Sequence, residues 1–456
     1  DRFGTSWWHS HYSAQYMDGL AGPIVIYGPQ HVPFDVDLGP IMLHDWRHLS
    51  YEDVVAEVKA VRLNDIISTQ VFDLLPPSDA NMINGRSDLT IKCDPLYTDL
   101  ISPNPNCTAT PSRPKFRVTP GKRYKLRLLN TGGDGTQKFS IDGHNLTVVS
   151  YDFTQIQPYE TDVVTVGVGQ RAEVILDAGT GQAGDSFWMR SRISWPCLEL
   201  TWQATMKAGV YYDGADTNVD PQTDANFDDT SWCQNSQPQD ELNMTKPFYQ
   251  LPLDEPSTNI SYFTFYTINA TNNLVFTMDT QAGQALEFGN NTYRGNYSTP
   301  LLSTAQQNAP PQNPFTNPDQ VYDFGTNTSV RVVVNNPTIL QNMHSMHLHG
   351  HDVQVLSFGS GSWSESDHPL QLDNPLRRDT LMMPPAGHVV FQFTPDNPGT
   401  WTLHCHVPWH LADGLAVNFM ERPEDIVGMG EIPGVMADAC EQWDAFRMNR
   451  YIPDEN

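Results

Sequence analysis

Basic residues are scarce. Lys and Arg number 26 against 53 Asp and Glu, a formal charge of −27 over 456 residues. With so little basic surface to neutralise phosphates, nucleic acid is excluded as a partner. Long apolar runs are absent too: no stretch of about 18 apolar residues occurs, so nothing reads as a membrane-spanning helix. The first residues lack the basic-then-apolar layout of an export signal, which would lie upstream or have been removed. No long amphipathic helix is legible. Cysteines are few, at positions 93, 107, 197, 233, 405 and 440.

The chain is nevertheless too long for one ordinary core, and its length suggests two or three domains. Strand patterns fill it. Short apolar or alternating runs at 162–177, 329–334 and 388–393 are bounded by Gly, Pro and Asn turns, which predicts an all-β class. Residues 213–241 carry no Lys or Arg and read as a solvated connection between domains; 308–320, polar and Pro-rich, reads as a surface loop. Asn-x-Ser/Thr sequons begin at Asn106, Asn145, Asn243, Asn259, Asn269, Asn290, Asn296 and Asn327, which favours a secreted, extracellular protein with disulfides.

Three segments hold most of the chemistry: HSH at 9–11, HSMHLHGH at 344–351 and HCHVPWHLADGL at 404–415. Side chains alternate faces along a strand, so His9 with His11, His347 with His349, and His404 with His406 would each point together. Cys405 would face the other way, towards a second site for which His410 and His344 are available. Two imidazoles and a thiolate form the trigonal set of a blue copper site. Zinc, by contrast, takes one tetrahedral set, and this pattern offers six imidazoles on one side and a thiolate with two more on the other. His31, His44, His48, His144, His368 and His388 read as ordinary core or surface residues, and His351 as support for a ligand.

These segments resemble the copper-binding segments of multicopper oxidases, the ascomycete laccases above all. The likeness continues through GTSWWHSHYSAQYMDGLAG, TPGKRYKLRLLNTG, VGQRAEVILDA, PLRRDT and DNPGTWTLHCHVPWH. It implies tandem cupredoxin-like Greek-key β-barrels and copper of types 1, 2 and 3, four ions in the complete protein. By the resemblance His344, Cys405 and His410 hold the type 1 copper. His11, His349 and His404 bind one copper of the type 3 pair, His9 and His406 the other, and His347 the type 2 copper. Leu415 takes the axial position of the type 1 site; it cannot coordinate, which favours Cu(I) and a higher potential than an axial Met would give. Asp134 matches the carboxylate that orients a phenol and takes its proton, although a plain role in a Gly-rich turn fits it as well.

Two departures stand out. Ser345 occupies a position where the family usually has Pro, and the family's first copper segment, His-Trp-His-Gly, does not occur. The expectation is therefore an N-terminally truncated piece: 1–29 as the remnant of a first cupredoxin domain, 30–237 as the second and 238–456 as the third, carrying the type 1 site. Cys197 is expected to pair with Cys233 and Cys93 with Cys107, while the resemblance suggests that Cys440 pairs with a cysteine of the missing region. The implied activity is laccase-like: one-electron oxidation of phenolic or other small reducing substrates, coupled to four-electron reduction of dioxygen to water, by a monomer that engages no nucleic acid and no membrane. The alternatives are a ferroxidase and a copper-binding cupredoxin protein without oxidase activity.

Overall fold

The computed structural model describes residues 2–60, 78–87, 113–194, 201, 203–226, 244–256, 260–268, 274–280, 293–307, 315, 319–336, 343–430 and 433–448. The expected disulfide cysteines, Cys93, Cys107, Cys197 and Cys233, lie outside the described residues. Two compact units take up the chain. The first comprises the described residues of Asp1–Val58, Val71–Leu251 and Asn374–Met382; the second, those of Lys59–Gln70, Pro252–Asp373 and Met383–Asn456.

The first unit holds two stacked sheets. One runs in the order Ala80–Ile83, Val36–Trp46, Arg123–Asn130, Arg171–Asp177, Leu146–Tyr151 and Thr154–Thr161, and the other Val164–Val166, Thr136–Ile141, Ser186–Ser194, Thr205–Tyr212 and Lys115–Val118. Most neighbours are antiparallel, but Val36–Trp46 lies parallel to Arg123–Asn130 and Thr205–Tyr212 parallel to Lys115–Val118. The inward residues Leu126, Leu128, Val148, Val174, Phe139 and Met189 form one continuous core. Residues 162–177, expected as one run, are two strands in different sheets, because the turn 167–170 lets the chain cross over. A two-stranded ribbon, Gly4–His9 with Ala21–Ile26, carries the first histidine segment. It is tied down where Thr5 donates to Glu173 at 2.7 Å and its carbonyl accepts from Arg171 Nε at 3.1 Å.

In the second unit one sheet includes the order Leu274–Thr280, Ser261–Ile268, Val330–Asn335, Gly387–Phe393 and Val353–Ser360. The other includes Val321–Gly325, Ala416–Glu421, Gly399–Cys405 and His344–Leu348. Phe263 and Phe393 of the first sheet pack on Phe324 and Phe419 of the second, with ring centroids 5.7 to 6.0 Å apart. Those rings supply much of the apolar area that holds the layers together. The expectation of an all-β class with cupredoxin-like sandwiches stands.

Among the described residues helices are few, yet two go beyond what the sequence suggested. Tyr51–Ala60 buries Tyr51, Val54, Val55 and Val58. Ser50 starts it: its hydroxyl accepts the Asp53 N–H at 3.2 Å and donates to the Asp53 carboxylate at 2.8 Å. That reciprocal cap was readable as Ser-x-x-Asp ahead of an apolar stripe. Gly434–Arg447 buries none of its residues, and Cys440 on it is exposed and free. No described helix is long and apolar enough to cross a membrane.

Candidate metal centre

The strand Gly399–Cys405 pairs with His344–Leu348 so that Met346 stands opposite Cys405 and His347 opposite His404. Opposed residues share a face and successive residues alternate, so this register sends His347 and His404 to one side of the sheet and Cys405 to the other.

On the Cys405 side the sulfur lies 3.6 Å from His344 Nδ1 and 3.4 Å from His410 Nδ1. All three residues are buried, and their ligand atoms lie within 4.8 Å of one another. His410 reaches the site from the short helix Pro408–Ala412, which begins where the strand ends and is capped only by main chain, with Pro at its first position. Leu415, fully buried, closes the loop: its carbonyl accepts the Cys405 N–H at 3.1 Å and its N–H donates to His410 O at 2.9 Å. Burial pushes the Cys405 thiol up to about 12, against main-chain N–H donors from Val407 and Ser345 that pull it down. Burial also drives His344 down to about 3 and His410 well below its ordinary range, the neighbouring His344 adding to the effect. A thiol and two neutral imidazoles, sealed from water and facing one another, make a donor set that a soft cation satisfies by displacing the thiol proton.

On the opposite side the strand pattern is modified. His9, His347 and His404 lie inside their strands, but His11, His349 and His406 lie just past the ends. The pairs stay close all the same, at 5.7 Å for His9 and His11, 4.7 Å for His347 and His349 and 5.7 Å for His404 and His406, measured between ring centroids. Within the second unit the four histidines gather: His347 is 5.7 Å from His404 and 5.8 Å from His406, and His349 Nε2 is 3.0 Å from His404 Nε2. His404 Nδ1 is held by the Cys405 carbonyl at 2.8 Å, which makes Nδ1 the protonated nitrogen and leaves Nε2 a lone pair. Within the first unit His9 Nδ1 is likewise held by Ser10 O at 2.9 Å, with the ring packed on Trp7 and Tyr16.

Asp134 sits in the first unit, buried, with its carboxylate paired to Arg47. Its loop is clasped from below by Asp45, whose Oδ1 accepts the Gly133 N–H at 2.8 Å and the Asp134 N–H at 3.3 Å. Gly132 allows that approach, since a Cβ there would stand 2.1 Å from Asp45 Oδ1. His351 meets the buried Glu421 carboxylate at 2.6 Å. The remaining histidines have ordinary partners: His44 the Thr131 carbonyl, His48 Asp79, His144 Asp142 O and Tyr212, His388 Gly361 O and His31 Ile156 O, while His368 lies against His388. Arg47, Glu421 and the Ser345 amide were not singled out from the sequence. Nothing local marks the first two, whereas the absence of Pro at 345 was visible.

Family profiles described as multicopper oxidase match residues 1–31, 37–212 and 292–425. Oxidoreductase OpS5 of Beauveria bassiana is 33% identical over 100% of this chain and 72% of its own length. Dihydrogeodin oxidase of Aspergillus terreus is 32% identical, over 100% of this chain and 73% of its own. This chain belongs to the multicopper oxidase family. Among solved structures, the laccase from Botrytis aclada aligns with a TM-score of 0.79 at 28% identity, covering 100% of this chain and 77% of that one. As a multicopper oxidase the protein is an oxidoreductase, and copper of types 1, 2 and 3 is its cofactor. Small reducing substrates and dioxygen are the reactants of such oxidases.

Proposed function

We propose that this multicopper oxidase is laccase-like, taking single electrons from phenolic substrates and passing them to dioxygen at a trinuclear copper cluster. The observation that carries the reading is the buried set of Cys405 Sγ with the Nδ1 atoms of His344 and His410, a donor combination suited to type 1 copper. These three residues would hold it, with Leu415 at the axial position. His347 would serve the type 2 copper, His11, His349 and His404 one type 3 copper, and His9 with His406 the other. When bound, copper supplies one-electron redox chemistry at the first set and four-electron reduction of dioxygen to water at the second.

The chain's own part is positioning. Cys405 is bonded through the main chain to His404 and His406, so the two donor sets are joined by a continuous covalent path. Asp134 would orient a phenol and take its proton, held in place by Arg47 and by the Asp45 clasp. Export as a glycoprotein is in keeping with the exposed sequon residues Asn145 and Asn296, and we take the working unit to be a monomer.

The test is oxygen uptake by the copper-loaded protein on a panel of phenols and on Fe(II), with copper content and the blue absorption measured alongside. Faster uptake with phenols supports the reading. Preference for Fe(II) would make it a ferroxidase, and bound copper with no uptake would reject oxidase function for this chain.

A further inference from the structure

Arg294 touches the segment that runs from Cys405 to Leu415. Its Nη1 donates to the Asp413 carbonyl at 2.9 Å and to the Tyr293 carbonyl at 3.2 Å. Asp413 ends the short helix Pro408–Ala412, three residues beyond His410 and two before Leu415. Three helical steps of about 1.5 Å put its main chain roughly 4.5 Å along the axis from that of His410. The guanidinium is thus anchored beside the stretch of chain that carries Cys405 and His410, two of the three donor residues.

That anchoring occupies one nitrogen. Both N–H groups of Nη1 meet neutral carbonyls, which leaves Nε–H and the Nη2 N–H beside it, the parallel pair that matches a carboxylate. Arg294 is half-buried, and neither of these nitrogens is a buried atom lacking a partner, so this edge faces water. No described carboxylate forms an ion pair with it. In a chain where acids outnumber bases 53 to 26, a guanidinium without a counter-charge is a local exception. An anion gains there what an uncharged molecule of the same shape does not.

We propose that Arg294 selects phenols that also bear a carboxylate, holding the acid group on its Nε–Nη2 edge so that the phenol ring lies against the His410 segment. This rests on the laccase-like reading and on His344, Cys405 and His410 as the type 1 ligands. Arg294 is a specificity residue in this proposal and takes no part in electron or proton transfer.

Ferulic acid and its methyl ester share one phenol and differ in charge at about pH 6, where the acid is ionised. On the copper-loaded full chain Arg294→Gln should lower kcat/KM for the acid about tenfold, through KM, and leave the ester within about twofold. The blue absorption should not change. Calorimetric binding of cinnamate, which has no phenol to oxidise, should weaken by the same factor. Equal losses on acid and ester would make Arg294 a brace for the chain at Asp413, and no loss on either would remove it from the substrate's path; both overturn the proposal. Should Arg294→Gln fail to fold, calorimetry on the unsubstituted protein decides between cinnamate and uncharged cinnamamide. Cinnamate should bind more tightly even though the net charge of −27 repels it, and equal or weaker binding overturns the proposal. The laccase-like reading fails differently. An unsubstituted protein that oxidises neither ferulic acid nor its ester rejects that reading, and this inference with it, whereas oxidation of both without an acid-specific loss in Arg294→Gln rejects this inference alone.

Discussion

The Arg47 guanidinium bridges two carboxylates, with NH1 3.4 Å from Asp45 Oδ2 and NH2 paired to Asp134. Asp45 in turn holds the main chain of the Asp134 loop, so the position of one carboxylate is fixed by the other. Asp134→Asn keeps the shape of the side chain and removes its capacity to take a proton. For phenols kcat/KM should fall roughly 10²-fold, while a donor that surrenders an electron and no proton should be oxidised almost as before. Equal losses on both would return Asp134 to a turn role.

Arg47→Gln tests the same pair by stability. Both side chains are buried, and taking away the guanidinium leaves the Asp134 carboxylate without its counter-charge. A loss of about 3–5 kcal/mol is expected for a buried pair broken on one side. Urea unfolding of the substituted and unsubstituted proteins measures it, and coincident curves would mean that the pair contributes nothing.

Cys405→Ser exchanges the sulfur for an oxygen that forms no strongly coloured bond to copper. The blue absorption and substrate oxidation should both vanish while the fold persists, as followed by far-ultraviolet circular dichroism. A blue, active Cys405→Ser protein would falsify the ligand assignment.

Leu415 is fully buried beside the ligand loop and offers no donor atom. Leu415→Met introduces a thioether, a weak axial donor that favours the oxidised copper, so the type 1 potential should drop. A potentiometric titration that finds no drop, or a rise, removes Leu415 from the axial position.

Asp152 gives an expected dependence of stability on pH. Burial raises the Asp152 carboxyl to about 7, opposed by Arg171 and reinforced by Asp379. An acid whose folded value lies above its unfolded one binds more protons folded than unfolded between the two values. Stability from this group is therefore greatest below about 4 and is lost as pH rises towards about 7. Asp152→Asn, which still offers an oxygen to the Arg171 N–H now bound at 3.0 Å, should flatten the decline. Denaturation midpoints collected from pH 4 to 8 would show it, and parallel profiles for the two proteins would assign the dependence elsewhere.

How much of this was readable before the fold? The alternation rule placed Cys405 opposite His404 and His406, and the strand Gly399–Cys405 obeys it as far as it runs. The members of each histidine pair lie close even though His11, His349 and His406 fall past their strand ends, where strand alternation no longer applies. Pairings between strands were not readable. Arg47 finds Asp134 across 87 residues, and Arg171 finds Asp379 across 208; neither follows from a local pattern, since sheet order decides which strands adjoin. The same holds for His351 and Glu421. The helix Tyr51–Ala60 could have been read from its cap, but the short apolar stripe gave a weak period beside so many strand signals.

The main-chain bonds around Cys405 carry one more implication. Its own N–H is tied to Leu415 O, the next N–H to Ser345 O, and Leu415 N–H to His410 O. Each donor is thus braced by backbone rather than by the ion it would bind. A frame fixed in that way would leave the Cys405 loop little freedom to shift when a bound copper gains or loses an electron, which would keep the structural change accompanying electron transfer small.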